Sequence, residues 1–253
     1  MPANFRVLSL DLHDTLVWDT EALVHAQYEI RLRRLAEGLL RADESPVPLS
    51  ELRRTRATLH AQWSREGRSS ESIPLDAQVE MIRQRLGAHY NGTPDFVVQG
   101  YAEGGLKEHP CQLNPEAKGL IGSLNAKGFP VIVVTNTSRS GAAWKSFLEG
   151  FGRVRLADVI ASTDVGACKP DPRVFAEMVR RTGVSAGAIL HVGDSWTMDV
   201  EAASRAGIGA ALYRGLSMHY WDPDKLQEVT VSKDSAVPCL DHLSEVTGLL
   251  DLR

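Results

Sequence analysis

The junction Asp11-Leu12-His13-Asp14-Thr15 closes the apolar stretch from Phe5 to Leu12, and it constrains this chain more than any other segment. The stretch is apolar without a 3.6-residue period, so it reads as a strand covered on both faces rather than as one side of a helix. Such a strand needs layers above and below it, which is the arrangement of a parallel α/β sheet. Ligands of open α/β sheets bind beyond the carboxyl ends of the strands, so polar residues clustered there are placed for chemistry. A single charged strand end would read only as the solvated start of a loop. The other strand ends decide between the two readings.

After Pro110 strands and helices alternate. Strands are expected at Pro130–Val134, Leu156–Ala161, Ala188–Val192 and Ile208–Tyr213. Helices are expected from Asn114-Pro115 to Ala126, Ser140 to Glu149, Asp171-Pro172 to Thr182 and Thr197 to Ala206, with a last one around Leu240–Leu250. Proline at helix starts and glycine after helix ends, as at Gly128, Gly183 and Gly207, mark the limits. This rhythm predicts a doubly wound parallel sheet. Between Asp19 and His109 the texture changes to apolar residues at helical spacing: Val24, Tyr28, Leu32, Leu35 and Leu39, then Leu52, Leu59 and Trp63, then Val79, Ile82 and Leu86, then Phe96, Val97 and Tyr101. Pro46, Pro48, Pro74 and Pro94 punctuate these segments. The chain therefore divides into a core, residues 1–17 and 110–253, and an inserted four-helix unit, residues 18–109, with its own small core and no convincing strand.

Composition narrows the class. With 253 residues, 43% hydrophobic and 24% charged, the chain is an ordinary globular protein large enough for one α/β domain carrying a smaller one. A formal net charge of -4 argues against a nucleic-acid partner held by a general field. The clustered Arg31, Arg33, Arg34, Arg53, Arg54 and Arg56 read as solvated helix faces. No apolar run approaches the roughly 18 residues that span a bilayer, and no signal segment opens the chain, so a cytoplasmic location without membrane contact is expected. Cys111, Cys168 and Cys239 are too few and too far apart for a disulfide framework or a zinc site. The oligomeric state is not legible.

Four strand-end signals fall in one order: Asp11-x-His13-x-Thr15, Thr135-Asn136, Lys169-Pro170-Asp171-Pro172, and Gly193-Asp194 followed by Asp199. In this order and spacing the chain resembles the haloacid dehalogenase (HAD) superfamily of phosphatases and related phosphoryl-transfer enzymes, with the helical insert at the position of that family's type 1 cap. Taken singly, Asp199 reads as a helix-dipole partner, Thr135 as a cap, Lys169 as a surface charge and Thr15 as a turn residue. None of those readings places all of them at successive strand ends. The resemblance implies an HAD-like α/β core, a small phosphorylated substrate, and Asp11 as a nucleophile that forms an aspartyl-phosphate. It also implies Mg²⁺ held by Asp11, the main-chain carbonyl of His13 and Asp194, with Asp199 supporting the metal's water shell. Lys169 would neutralise Asp11 and the transferring group, and Thr135 and Asn136 would hold the phosphate beside backbone N–H groups at a helix start.

The chain departs from the phosphatase pattern at His13, where the family usually has a second aspartate as general acid and base. Three readings stay open: His13 moves the proton itself, Asp14 does so, or the site is weakened and the protein binds phosphorylated ligands without rapid turnover. Hydrolysis of a 2-haloacid is a further alternative, although a carbon–halogen displacement does not need the acidic pair Asp194 and Asp199. Phosphonate chemistry of the family's kind needs a lysine in the insert, and none precedes Lys107. In the insert Trp18, His25, Arg56, His60 and Trp63 are the candidates for substrate selection. Arg56 falls on the apolar face between Leu52, Leu59 and Trp63, from which it would reach an anionic substrate or snorkel to the surface.

Overall fold

A computed structural model describes residues 4–215, 237–250 and 252. Its centre is a parallel sheet of six strands: β1 (Val7–Leu10), β2 (Val131–Thr135), β3 (Asp158–Ala161), β4 (Ile189–Gly193), β5 (Gly209–Tyr213) and β6 (Cys239–Leu240), in the spatial order β6-β5-β4-β1-β2-β3. The chain builds outward from β1 through β2 to β3, then returns to β1's other side for β4 and β5. The switch point of this winding lies between β1 and β4, where a doubly wound sheet opens a crevice. Asp11 leaves β1 at that place, its N–H donating to the carbonyl of Val192 at 2.8 Å.

Alternation along β1 sends its side chains into two layers. Leu8 and Leu10 join Trp144, Leu190 and Val192 on one face. Val7 lies on the other with Ile132, Val134, Phe175 and Met178. Helices α5 (Pro115–Ala126), α6 (Gly141–Glu149) and α7 (Pro172–Thr182) cover these layers, and Asn114, Ser140 and Asp171 cap their N-termini by accepting backbone N–H bonds.

The insert supplies α1 (Glu21–Glu37), α2 (Leu49–Arg65), α3 (Leu75–Leu86) and α4 (Pro94–Glu103). Their apolar faces close a separate core around Leu32, Leu35, Leu52, Trp63, Val79, Ile82, Val97 and Tyr101. The helices follow the periodicity, but the insert is not free of strands: Leu39–Leu40 pairs antiparallel with His89–Tyr90. At its two junctions with the sheet, Val17–Trp18 pairs with Gln112–Leu113. These two-residue ladders are too short to leave a period in the sequence.

Two other expectations are corrected. Thr197–Ala206 is not one regular helix: a π-helical turn over Trp196–Glu201 precedes a short α-helical piece, Ala202–Arg205. The tail is not a helix from Leu240, because Cys239–Leu240 pairs with Leu212 and Tyr213 as β6. Leu243–Gly248 then forms a 3₁₀ segment, in which Leu243 and Val246, three apart, are both fully buried. Among the described residues no helix is long and apolar enough to cross a membrane. The three cysteines are free.

Candidate active site

Register brings the strand ends to one level. Leu10 stands opposite Val133 of β2 and Val192 of β4, so Asp11 emerges beside Val134 and Gly193. The turn after Asp11 is tight: Leu16 and Val17 both donate to the carbonyl of Leu12, and Asp14 takes φ 57°. Aspartate tolerates that left-handed conformation better than most residues, which accounts for its presence at the bend. Thr15 is fully buried, with its hydroxyl unpaired among the described residues.

Lys169 reaches Asp11 from the loop before α7. Its buried Nζ donates to Asp11 Oδ1 at 2.6 Å and to Asp199 Oδ1 at 2.5 Å. The lysine's backbone is clamped in turn by the amide of Asn136, whose Oδ1 accepts from Lys169 N at 2.7 Å and whose Nδ2 donates to Lys169 O at 2.9 Å. The Asn136 side chain, expected to hold phosphate, is thus committed to placing Lys169. Thr135 ends β2 buried, its hydroxyl 3.3 Å from the Asn136 carbonyl.

Asp199 is drawn onto the end of β4 by three donors: Lys169, the His191 ring at 3.1 Å, and Ser195 N–H at 3.1 Å. Gly193 makes that approach possible, because a Cβ there would stand 2.3 Å from Asp199 Cγ. Asp11, Asp194 and Asp199 each offer a carboxylate oxygen within 4.8 Å of one another.

Three carboxylates around one ammonium leave an excess of negative charge, and it falls on Asp11. Burial first, and then Asp199 and Asp194, push its carboxyl up to about 8 despite Lys169. Burial acts on Asp199 in the same direction, but Lys169 and His191 outweigh it and hold that carboxyl below the ordinary range. An oxygen-only donor set with surplus negative charge suits a hard divalent cation such as Mg²⁺. Both oxygens of Asp199 already accept hydrogen bonds, so Asp11 and Asp194 are the better direct ligands.

His13 sits edge-on to Trp144 with ring centroids 5.3 Å apart, and burial pushes its imidazole below the ordinary histidine value. Trp144 is itself fixed by donating from Nε1 to Thr137 Oγ1 at 2.9 Å.

The insert residues divide differently from the expectation. Arg31 does not lie on a solvated face; it is buried, and it ties α1 to the loop after β2 by donating to Ser138 Oγ and Ser138 O at 2.9 and 2.8 Å and to Tyr101 O at 3.0 Å. Arg139 answers from the core side, donating to the carbonyls of Ala102 and Gly104 and to Gln27 Oε1. Arg33, Arg34, Arg53 and Arg54 are exposed, as charged helix faces should be. Arg56 is spent on the tyrosines, donating to Tyr28 and Tyr101 hydroxyls at 2.8 and 3.1 Å. His25 is exposed beside Glu21, Trp63 is buried in the insert's core, and Trp18 packs against the core of the sheet domain.

His60 lies against Trp63, its Nε2 buried without a partner among the described residues. Burial, with Arg56 and Arg31 nearby, pushes its imidazole down to about 4. The folded ring stays neutral where the unfolded chain's histidine, near 6.5, takes a proton. Stability is therefore expected to fall as pH drops from 6.5 toward 4. Because the residue is half exposed, the share of His60 between pH 7 and pH 5 is about 1 kcal/mol. Urea titrations of wild type and His60→Gln at both pH values measure it; an unchanged gap refutes the assignment.

Ser9, His191, Arg31 and Arg139 are the residues that sequence reasoning missed. Ser9 and His191 had a signal, each being a polar residue inside an otherwise apolar strand. The buried arginines had none.

The family description haloacid dehalogenase-like hydrolase matches residues 5–207. Mouse haloacid dehalogenase-like hydrolase domain-containing protein 3 is 32% identical over 127 residues, 49% of this chain and 47% of its own length, so the match spans about half of that relative. The human protein of that name is 29% identical over 98% of this chain and 96% of its own. Phosphoglycolate phosphatase of Escherichia coli O157:H7 is 29% identical over 63% of this chain and 57% of its own. Among solved structures, the 2-haloacid dehalogenase of Pseudomonas syringae pv. tomato superposes with a TM-score of 0.59 at 23% identity, covering 97% of each chain, which speaks to fold alone.

Proposed function

The chain belongs to the haloacid dehalogenase-like hydrolase family, and from that premise we propose that it is a Mg²⁺-dependent phosphatase of small phosphorylated metabolites, with Asp11 as nucleophile. The observation that carries this reading is the cluster of three carboxylates, two of them paired with one buried lysine, at the switch point of the sheet. Displacement at a carbon–halogen bond gives Asp194, a further anion beside Asp11, nothing to do. Phosphoryl transfer does, because an anionic nucleophile must approach an anionic ester, and two unit charges at 4 Å repel by about 4 kcal/mol at an effective dielectric near 20.

Lys169 holds Asp11 Oδ1, which leaves Oδ2 to attack phosphorus. An O–P bond forms to Asp11 as the ester O–P bond breaks, and the departing alkoxide takes a proton from an acid at the site, which the attacking water of the second step gives back. Water then attacks the aspartyl-phosphate, releases inorganic phosphate and returns the carboxylate. Asp11, Asp194 and the His13 carbonyl, with Asp199 in support, would hold Mg²⁺, which would supply positive charge to the transferring phosphoryl group. Thr135 and the backbone at the start of the following loop receive the phosphoryl oxygens. Arg31 and Arg139 fasten the insert to the loop after β2, an attachment that would restrict the site to small substrates.

The test is release of phosphate from p-nitrophenyl phosphate and from a panel of small monoesters, 2-phosphoglycolate included, with Mg²⁺ and with EDTA. Metal-dependent release supports the reading; silence across the panel overturns it. Chloride release from 2-chloropropionate without added metal would favour the dehalogenase alternative.

His13, two residues after Asp11, is the side chain to test for moving the proton of the departing oxygen. If it moves that proton, His13→Ala lowers kcat on alkyl phosphates by about 10²-fold or more, the usual scale of general acid–base catalysis, and on aryl esters by much less. Equal losses would leave it a packing partner of Trp144.

A further inference from the structure

We propose that Ser9 and His191 form a buried positioning pair, in which Ser9 holds the imidazole of His191 by its Nδ1 and His191 holds Asp199, and through it the Lys169 ammonium, in line with Asp11. The inference rests on the reading of Asp11 and Lys169 as reacting machinery and adds two residues behind it.

Ser9 and His191 are register partners across β1 and β4. Both are fully buried on the face that otherwise holds Val7, Ile132, Val134, Phe175 and Met178. A polar pair in an apolar layer is unfavourable unless its hydrogen bonds are made, and a pair of aliphatic residues would fill the layer without that requirement. Here the bonds are made, and they lead to the site. Ser9 Oγ lies 2.8 Å from His191 Nδ1, and His191 Nε2 lies 3.1 Å from Asp199 Oδ1. The Phe175 ring, with its centroid 5.2 Å away, packs against the imidazole without competing for either nitrogen.

The direction of each bond follows from chemistry. Beside the Lys169 ammonium, Asp199 is a carboxylate that only accepts, so Nε2 carries the hydrogen. Neutral imidazole then presents Nδ1 as an acceptor, and the Ser9 hydroxyl donates to it. Without Ser9, Nδ1 is left as a buried acceptor with no donor, and the ring is free to turn away from Asp199. Asp199 Oδ1 accepts from both His191 and Lys169, while the other oxygen is held by Ser195 N–H. Losing the His191 donor lets the carboxylate rotate about the remaining bonds, and Lys169 moves with it. Neither Ser9 nor His191 touches the substrate in this scheme, so both are positioning residues.

Two measurements on the full chain test the pair. Long-range ¹H–¹⁵N NMR of the imidazoles, on metal-free protein, is expected to show His191 as the neutral Nε2–H tautomer in wild type, and in Ser9→Ala as the same tautomer with its Nδ1 resonance shifted downfield by loss of the hydrogen bond. Kinetics on p-nitrophenyl phosphate are expected to show kcat down about tenfold in His191→Phe and about threefold in Ser9→Ala, as for one lost hydrogen bond to a charged group, with KM within about twofold. His191→Gln, which returns an amide N–H to the Nε2 position, should recover to within about threefold of wild type, and adding Ser9→Ala to it should cost nothing more. If His191→Phe fails to fold, Ser9→Ala and His191→Gln carry the test. An Nδ1–H tautomer or an imidazolium in wild type overturns the pair, as do losses that multiply in the double variant. The expected tautomers in a protein that releases no phosphate would instead leave the pair standing and overturn the phosphatase reading.

Discussion

Asp11→Asn protein is expected to lose phosphate release on the order of 10⁴-fold or more while melting no lower than wild type in the absence of divalent cations. The two halves of this result have one cause. Asp11 supplies the attacking oxygen, and it is also one of three clustered carboxylates, sharing the Lys169 ammonium with Asp199. An asparagine oxygen still accepts from Nζ, but the repulsion from Asp194 and Asp199 is gone. The thermal midpoint should rise by a few degrees, since about 1 kcal/mol moves a chain of this size by roughly 2–4 °C. Scanning calorimetry beside a phosphate assay decides it. Residual turnover near wild type would remove Asp11 as nucleophile, and a large drop in midpoint would mean that its charge supports the fold.

The opposite sign is expected at Lys169. Lys169→Met conserves volume but leaves Asp11 and Asp199 buried without their cation. Breaking a buried ion pair from one side costs about 3–5 kcal/mol, so urea denaturation of the metal-free variant should show a loss of that size. Phosphate release should fall at least about 10³-fold, because two anions then meet with less charge to offset them. Mg²⁺ should return part of the stability, more than it adds to wild type, since the same carboxylates would bind it. A Lys169→Met protein as stable as wild type would show that the carboxylates accept protons at little cost, and the charge argument would fail.

The sequence made most of the sheet legible because each of β1 to β5 is an apolar run with a polar end, and the ends of β1, β2 and β4 meet at one level. Asp11, Lys169, Asp194 and Asp199 come together for that reason. Arg31 and Arg139 stayed hidden because a guanidinium is ordinarily solvated, and nothing in their neighbours announces the backbone carbonyls that receive them. Arg56 was read toward a substrate or the surface, whereas Tyr28 and Tyr101, from two other helices, supply its acceptors. His191 was absorbed into its strand, since burial there is a property of the whole run. The tail departed from its helical expectation because β5 offers Cys239 and Leu240 an edge to pair with, a contact no local pattern contains.

The placement of β1 also governs how this chain is assembled. The strand that carries the nucleophile is made early, yet both of its neighbours come much later, and the Ser9–His191 contact spans 182 positions. The insert's four helices bury their apolar faces mainly against one another, with Ala143 of α6 joining them from beyond the segment. During synthesis the insert thus has most of what it needs to condense while β1 waits with unpaired edges, and loop closure over such distances is slow. The element on which the chemistry depends is therefore the last part of the early chain to be sheltered, and the growing chain is most exposed to wrong pairing at its own reactive strand.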